Sequence, residues 1–290
     1  MDKILVRHIT GIVKEPEFFG NFSIRKIEEV LSGGSFLQEL HRHSFYFVLV
    51  IHQGSGEHVV DFISYPVTPG SVFFMRPGQV HKLQLKSGTT GYLMQFDSAF
   101  YNPQEKSVKE VLNHLGNRTY CKLNDDRWVN TFGILQGIYN ECSAKEALHP
   151  QAIRSWLDIL FIDLFRQGCN CGNCKQGGSD YNRLKLEELL NLVNIHFAEH
   201  KQVGFYADKM NLTQYQLNAV IKATLGKTFS ELMTGTIVLE AKRQLLATVN
   251  QVNHIAFSLG YEDVSYFIRF FRKHTGYTPE AFRNNFKEVL

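Results

Sequence analysis

The sequence lacks any apolar run long enough to cross a lipid bilayer. Its most apolar stretches, such as residues 45–51, fall far short of the ~20 residues that a membrane-spanning helix needs. The first seven residues, MDKILVR, already include Asp2, Lys3 and Arg7, which leaves no apolar core for a secretory signal. We therefore expect a cytoplasmic protein with no membrane partner.

Cysteine is scarce as well. Of the five cysteines, three crowd into Cys169, Cys171 and Cys174, a pattern unlike the disulfide framework of a secreted protein. A structural zinc site needs four ligands, and no second cysteine cluster follows this one. We interpret the three as reduced thiols within an incidental linker, and a thiol sensor is the alternative.

The chain also lacks a strong charge of either sign, since its net charge is only +3. The excess is unevenly placed: residues 181–290 carry 13 Lys and Arg against 10 Asp and Glu, whereas residues 1–180 carry 18 of each kind. A bias of this size is compatible with phosphate contacts but does not establish nucleic-acid binding. A length of 290 residues with 44% hydrophobic content suffices for two domains with separate cores.

Two kinds of periodicity divide the first part of the chain. Short alternating segments, at 44–51, 56–63, 70–75, 82–85 and 91–96, predict an antiparallel sandwich or barrel within residues 1–124. Residues 125–168 switch to spacings of three and four, which predicts two amphipathic helices. Their apolar stripe could pack on the barrel or on a second copy of the chain, and we expect these helices to form a homodimer. The composition of residues 169–180 is typical of a flexible linker.

Beyond the linker, residues 181–290 repeat themselves with a period of 49 to 50. The paired positions include Ala207 and Ala256, Leu217 and Phe267, Ile221 and Phe271, and Gly226 and Gly276. Each copy has the parts of a helix-turn-helix: a small residue where two helices approach, a turn, a polar N-cap and a second short helix. We predict second helices at 214–223, capped by Thr213, and at 264–273, capped by Asp263, joined by a helix at about 230–248.

The second helix of each copy is predicted to enter the major groove of DNA. Its apolar positions must face inward, which leaves the other early positions to read bases. The predicted DNA-binding residues are Thr213, Gln214, Tyr215, Asn218, Ala219 and Lys222 in the first copy, and Val264, Ser265, Arg269, Arg272 and Lys273 in the second. Lys222, Arg272 and Lys273 lie nearer the helix ends, where phosphate contacts are expected. A rigid connector could hold the two helices about one DNA turn, roughly 34 Å, apart.

Residues 255–279, IAFSLGYEDVSYFIRFFRKHTGYTP, resemble the signature of the AraC/XylS family of transcriptional regulators. The resemblance covers about residues 189–286, and it departs from the family at Ala219, where an arginine is frequent. It implies a sequence-specific regulator that binds double-stranded promoter DNA, with activator and repressor both open from the residues alone. It further implies a small-molecule effector in the N-terminal domain and RNA polymerase as an additional partner.

The N-terminal segment carries histidines in two short motifs. His41, His43 and Phe45 alternate along 41–47 and are predicted to share one face of a strand, while RPGQVH at 76–81 supplies His81. The motifs resemble the two half-motifs of a cupin barrel, which precedes the DNA-binding domain in many AraC relatives. The expected fold class is therefore α+β: a cupin-like β-barrel, then amphipathic helices, then an all-α tandem helix-turn-helix domain.

Three histidines from two strands could ligate a metal, because imidazole suits Zn, Fe, Ni and Cu. The metal-binding cupin pattern also has a glutamate a few residues after the second histidine, where this chain has Phe47 and Val48. Because that ligand set is incomplete, we predict no metal and no other cofactor. The group formed by His41, His43, Phe45, Phe73 and His81 is instead interpreted as the lining of an effector pocket, or as the core of a filled barrel.

The alternative function is a metal-dependent cupin enzyme fused to a helical binding module. The missing glutamate disfavours it, and no other nucleophile and base are readable, so we predict no enzymatic activity. Stoichiometric Fe, Mn or Ni in purified protein would favour the enzyme. A repeat that binds only protein would lack base-reading side chains, yet Asn218 and Arg269 are present.

Overall fold

The computed structural model describes residues 6–7, 21–123, 128–167 and 180–287. The described residues divide into two compact units, residues 6–167 and residues 180–287. Of the predicted linker, residues 169–179, with Cys169, Cys171 and Cys174, lie outside the described residues, and residue 180 begins a helix. No described helix has both the length and the apolar composition required to span a membrane.

The described part of the N-terminal unit is built on two five-stranded sheets. The strands are β1 (Val6–Arg7), β2 (Phe22–Lys26), β3 (Phe36–His43), β4 (Tyr46–Gln53), β5 (Gly56–Val60), β6 (Ile63–Val67), β7 (Ser71–Met75), β8 (Val80–Leu85), β9 (Thr90–Phe96) and β10 (Tyr120–Lys122). One sheet has the order β1-β3-β8-β5-β6 and the other β10-β7-β4-β9-β2. All pairings are antiparallel except β1 with β3. This arrangement confirms the predicted cupin-like β domain.

The prediction of one strand over residues 41–47 is wrong. The chain bends at Ser44 and Phe45, so that β3 and β4 belong to different sheets. Residues 56–63 likewise form two strands, because Asp61 and Phe62 take positive φ angles of 48° and 69° in a tight turn. Alternation alone did not reveal either bend, because it indicates which side chains turn inward but not where one strand ends and the next begins.

Three helices, α2 (Lys106–Gly116), α3 (Trp128–Ala144) and α4 (His149–Arg166), pack on the outer face of the second sheet. The short helix α1 (Ile27–Leu31) contributes Ile27 and Leu31 to the other core, which contains Phe47 and Leu83. Buried side chains of α3 and α4, such as Leu135 and Phe161, share one core with Val48, Phe74 and Met94 of the sheet. The apolar stripe of the two predicted helices therefore packs on the sheet of its own chain.

The described C-terminal unit is entirely helical. Its helices are α5 (Asp180–His196), α6 (Val203–Lys209), α7 (Gln214–Leu225), α8 (Phe229–Ala247), α9 (Val252–Ser258), α10 (Val264–Thr275) and α11 (Pro279–Lys287). α6 with α7, and α9 with α10, are the two helix-turn-helix units, and α8 contacts α7, α9, α10 and α11. The predicted N-caps are confirmed: Thr213 forms a capping box with Gln216, and Asp263 accepts from the backbone of Ser265 and Tyr266. Both second helices extend two residues beyond the prediction, to glycine C-caps in the left-handed region.

The two copies of the repeat have the same backbone design. The turn after α6 is closed by Leu212 N donating to Ala207 O at 2.9 Å, and the turn after α9 by Tyr261 N donating to Ala256 O at 3.0 Å. Both alanines are buried, as the close approach of two helices requires. The turn after α9 also contacts the segment between α5 and α6, because Lys201 Nζ donates to Gly260 O at 2.9 Å.

Candidate functional site

Each second helix has one buried face and one exposed face. On α7, Leu217 and Ile221 are fully buried, whereas Tyr215 is 85% exposed and Ala219 is also exposed. On α10 the buried residues are Phe267 and Phe271, and the exposed predicted residues are Ser265 and Arg269, with Val264 partly exposed. The predicted base-facing positions thus lie together on the solvent side of each helix, except for Asn218.

Asn218 has a different local role from its neighbours. Its side-chain Oδ1 accepts from Phe229 N at 3.1 Å, and its Nδ2 donates to Gln214 O at 3.1 Å. The amide therefore ties α7 to the first turn of α8, and both of its ends are already satisfied. Sequence inspection missed this contact because Phe229 is 11 residues away.

The predicted phosphate-contacting residues are exposed at the ends of the same two helices. Lys222 lies in the last turn of α7, and Arg272 and Lys273 lie in the last turn of α10. At these positions a basic side chain also interacts favourably with the carboxyl end of the helix dipole. The side chains of Thr213 and Gln214 are exposed at the start of α7, where Thr213 is engaged as the N-cap.

In the N-terminal unit, three predicted histidines converge inside the barrel. The Nε2 atom of His43 lies 3.1 Å from that of His41 and 2.7 Å from that of His81, and the remaining pair is 3.0 Å apart. All three side chains are at least 97% buried. They come from two adjacent strands of one sheet: His41 and His43 lie on β3, and His81 of β8 is paired with His41. As one group, they offer ligand atoms that could hold a metal ion.

A fourth histidine, which the sequence-based prediction missed, supports this group. His58 of β5 is completely buried, and its Nε2 lies 2.7 Å from Nδ1 of His81. Burial lowers the pKa of His58 to about 3, with His41 adding to the effect, so that the imidazole is neutral. The available signal was the alternation of β5, in which His58 and Val60 point to the same side.

The two predicted aromatic residues pack directly on the histidines. The rings of His43 and Phe45 have centroids 4.3 Å apart, and those of His58 and Phe73 have centroids 4.4 Å apart. Next to them lies an apolar core that includes Phe47, Leu83 and Leu93. The five predicted effector residues therefore form one buried cluster at the edge of a packed barrel interior.

A separate cleft of about 560 Å³ lies between residues 98–105 and α4. Tyr101 donates to Asp158 at 2.6 Å on one side, and Arg154 binds the carbonyl of Phe100 at 2.8 Å on another. Burial, and then hydrogen bonding to Asp158, raise the pKa of the Tyr101 phenol. None of the histidines lines this cleft.

Two family models match the chain, one in each unit. An AraC-like ligand-binding domain matches residues 23–103, and a helix-turn-helix domain matches residues 206–285. The first match covers the barrel with its histidine cluster, and the second runs from α6 into α11.

Curated relatives match over both units. The chain is 24% identical over 255 residues to the HTH-type transcriptional activator RhaR of Mannheimia succiniciproducens, covering 85% of this chain and 87% of the relative. It is also 24% identical to the HTH-type transcriptional activator RhaS of Pectobacterium carotovorum, covering 84% and 87%. Among solved structures, fatty-acid-bound ToxT of Vibrio cholerae matches 93% of this chain and 97% of its own, at 16% identity and a TM-score of 0.42.

Proposed function

This chain belongs to the AraC family of transcriptional regulators, and from that premise we propose which of its residues read DNA and where it senses its effector. It is an effector-controlled, DNA-binding transcription regulator. The observation that carries the assignment of residues is the pair of capped helices, α7 and α10, each with a buried apolar face and an exposed polar face.

We assign base reading chiefly to α10. Arg269 is exposed and can donate two parallel hydrogen bonds to a guanine, while Ser265 lies one turn earlier on the same side and Val264 begins the helix. On α7, Tyr215 and Ala219 can contact thymine methyl groups. Asn218 is assigned to positioning, since reading adenine would break its bonds to Phe229 and Gln214.

We assign phosphate binding to Lys222, Arg272 and Lys273, with Thr213 and Gln214 at the amino end of α7. A helix amino end with an exposed polar cap is a favourable place for a phosphate. α8 has 19 residues and is therefore about 28 Å long, which suits two recognition helices in successive major grooves on one face of DNA.

We place the effector in the N-terminal barrel, at the cluster of His41, His43, Phe45, Phe73 and His81. The domain arrangement we propose is a barrel over residues 1–124, helices over 125–168, a linker over 169–180 and the DNA-binding domain over 181–290. Because the apolar stripe of α3 and α4 is already used against the sheet, a homodimer through these helices would need other exposed residues, such as Val129 and Ile159. We propose that the chain activates transcription with RNA polymerase as a partner and catalyses no reaction. The curated relatives, which are transcriptional activators, support this proposal.

The test is selection of bound sequences from a random DNA pool by the full-length protein. We expect a defined site, and we expect Arg269→Ala to relax the preference at a single base pair, at a cost of about 1–3 kcal/mol there. Arg272→Ala is the matched control: it removes the same charge from the same helix and should weaken all sequences alike. Failure to enrich any sequence would refute the function, and an unchanged preference in Arg269→Ala would refute the role of Arg269.

A further inference from the structure

We propose that His41, His43 and His81 bind a divalent transition-metal ion inside the N-terminal barrel. Their Nε2 atoms form a triangle with sides of 3.1, 2.7 and 3.0 Å. The centroids of the same ring pairs are farther apart, at 4.6, 4.7 and 4.3 Å in the same order. The three rings therefore direct these nitrogens toward one another and toward a common point.

The triangle has the size that an ion requires. With zinc–imidazole distances of about 2.0–2.1 Å, an ion equidistant from the three nitrogens would lie about 1.2 Å outside their plane. Such an ion has three nitrogens on one side and open coordination positions on the other. Three protein ligands plus an open position is the arrangement of sites that bind an exchangeable fourth ligand.

A contact outside the triangle fixes the tautomer of His41. His41 Nδ1 lies 2.6 Å from the carbonyl oxygen of Glu39, which can only accept, so the proton of a neutral His41 is on Nδ1. Its Nε2 then presents a lone pair to the other two nitrogens. One proton can link only one pair of the three nitrogens well, whereas a metal ion accepts a lone pair from each.

The outer contacts of the cluster are those that orient metal ligands. Ligating histidines usually donate their second ring nitrogen to a carbonyl or another acceptor, which fixes the tautomer and the ring orientation. His41 does so with Glu39 O, and His81 Nδ1 lies 2.7 Å from His58 Nε2. His58 is therefore a positioning residue for His81.

The donor set selects the class of ion. Three imidazoles without a carboxylate favour zinc, nickel, cobalt or copper over magnesium and calcium, which prefer oxygen. The position of the missing cupin glutamate is held by Phe47, whose ring stacks on His43 at 5.4 Å between centroids. The sequence predicted no metal because this glutamate is missing. In the structure the three ring nitrogens converge on one point without it.

We expect an ion at this point to take part in binding the effector in the barrel. Only this part of the inference rests on the proposed function. It would join β3 and β8 of one sheet through His41, His43 and His81. Occupancy would thereby tighten the pairing of two strands and offer its open positions to a further small ligand. The binding of the ion itself depends only on the geometry of the three histidines.

The experiment uses the full-length chain with Cys169, Cys171 and Cys174 replaced by serine, so that thiolates do not contribute. After treatment with EDTA and dialysis against buffered zinc or cobalt, we expect one ion per chain by elemental analysis. His43→Gln and His81→Gln should each weaken binding more than 100-fold. His58→Gln should weaken it about 10–100-fold, as the loss of an outer contact does. His254→Gln, at an exposed position in α9, is the control and should leave binding unchanged.

Thermal unfolding separates loss of a ligand from loss of the fold. An ion that binds only the folded state raises the melting temperature, so zinc should raise that of the parent protein but not that of His43→Gln or His81→Gln. The melting temperature of each protein in EDTA is its own baseline, so that the rise produced by zinc is compared rather than the absolute melting temperature. The visible absorption of bound cobalt is measured on the parent alone, and therefore does not depend on whether any variant folds.

Less than one ion per chain in the parent at micromolar free metal would overturn the proposal. So would unchanged affinity in both ligand variants. Affinity for the selected DNA site, measured on the same samples by fluorescence anisotropy, tests the proposed function separately. A chain that binds its DNA site but takes up no ion would refute the metal site and leave the regulator intact. A chain that takes up the ion but shows no sequence-specific DNA binding would refute the regulator alone.

Discussion

Gly260 occupies a position in the second helix-turn-helix that no larger residue fits without strain. Its φ of +72° is in the left-handed region, and a Cβ built on it would lie 1.8 Å from the carbonyl oxygen of Ala198. Beside it, Lys201 Nζ donates to the carbonyls of both Ala198 and Gly260, at 2.9 Å each. These contacts fix the second turn against the end of α5, and so they set the orientation of one DNA reader relative to the other.

We predict that Gly260→Ala destabilises the C-terminal unit well beyond the cost of its backbone conformation. Gly276→Ala is the matched control, because Gly276 has a similar φ of +81° but nothing within 4 Å of a built Cβ. The control should cost about 1–2 kcal/mol, the usual penalty of left-handed backbone, and Gly260→Ala should cost at least about 2 kcal/mol more, as overpacking does. Urea unfolding followed by far-ultraviolet circular dichroism measures both, and equal costs would refute the clash.

At the scale of elements, α10 depends on its cap. Asp263 Oδ1 accepts from Ser265 N at 2.7 Å and from Tyr266 N at 3.2 Å, at the start of the helix that carries Arg269. The carboxylate also interacts favourably with the positive end of the helix dipole. The cap therefore holds the base-reading turn of α10 in a defined conformation.

Asp263→Ala should reduce the stability of this unit by about 0.5–2 kcal/mol, the range for loss of an N-cap. Amide exchange at Ser265 and Tyr266 should accelerate, and affinity for the selected DNA should fall. Glu262→Ala removes a neighbouring exposed carboxylate with no capping bond and is the control. Identical exchange rates in the two variants would contradict the role given to the cap.

A buried polar network joins α3 to α4 in the N-terminal unit. Asp163 accepts from Thr131 at 2.8 Å, from Asn130 at 2.9 Å and from Gln167 at 2.7 Å. Asp163 is 93% buried, and the buried donors Thr131 and Gln167 rely on its carboxylate rather than on water, whereas Asn130 is exposed. Removal of the carboxylate would leave buried donors unsatisfied, which costs more than a hydrogen bond in water contributes.

Asp163→Ala should therefore destabilise the N-terminal unit by about 1–3 kcal/mol. Both tryptophans of the chain, Trp128 and Trp156, lie in α3 and α4, so tryptophan fluorescence during urea unfolding reports on this unit alone. Ser155→Ala, at an exposed position of α4, should change stability by less than about 0.5 kcal/mol. A comparably small effect for Asp163→Ala would show that the network contributes little.

At the scale of the whole molecule, attraction to DNA depends on a small excess of charge in the C-terminal part. With 13 basic against 10 acidic residues in 181–290, no single patch dominates, and individual lysines at helix ends matter. Each phosphate contact releases about one counterion, so binding should weaken as salt rises.

Lys222→Ala should weaken binding to all sequences alike and make the slope of log affinity against log salt shallower by about 1. Lys106→Ala is the control, because Lys106 is also exposed but lies in α2 of the N-terminal unit. The measurement is fluorescence anisotropy with specific and nonspecific duplexes between about 50 and 200 mM salt. A slope unchanged from that of the parent would remove Lys222 from the interface.

The sequence by itself determined the features that depend on local interactions. Thr213 and Asp263 cap their helices through atoms two or three residues away, and Gly226 and Gly276 end those helices because their own backbone allows a positive φ. Both copies of the repeat contain the same local interactions, and for this reason the two helix-turn-helix units could be predicted from the sequence.

Only the tertiary structure decided how distant segments meet. The bend at Ser44 places β3 and β4 in different sheets, and the turn at Asp61 makes two neighbouring strands of one sheet. The amide of Asn218 bonds to the start of α8, and His58 contacts His81, which lies 23 residues later in the chain. In each case the partners are far apart in the chain, so their distance depends on the packing of whole sheets and helices. Alternation predicts which side chains turn inward, but convergence of three ring nitrogens on one point is a property of the folded barrel.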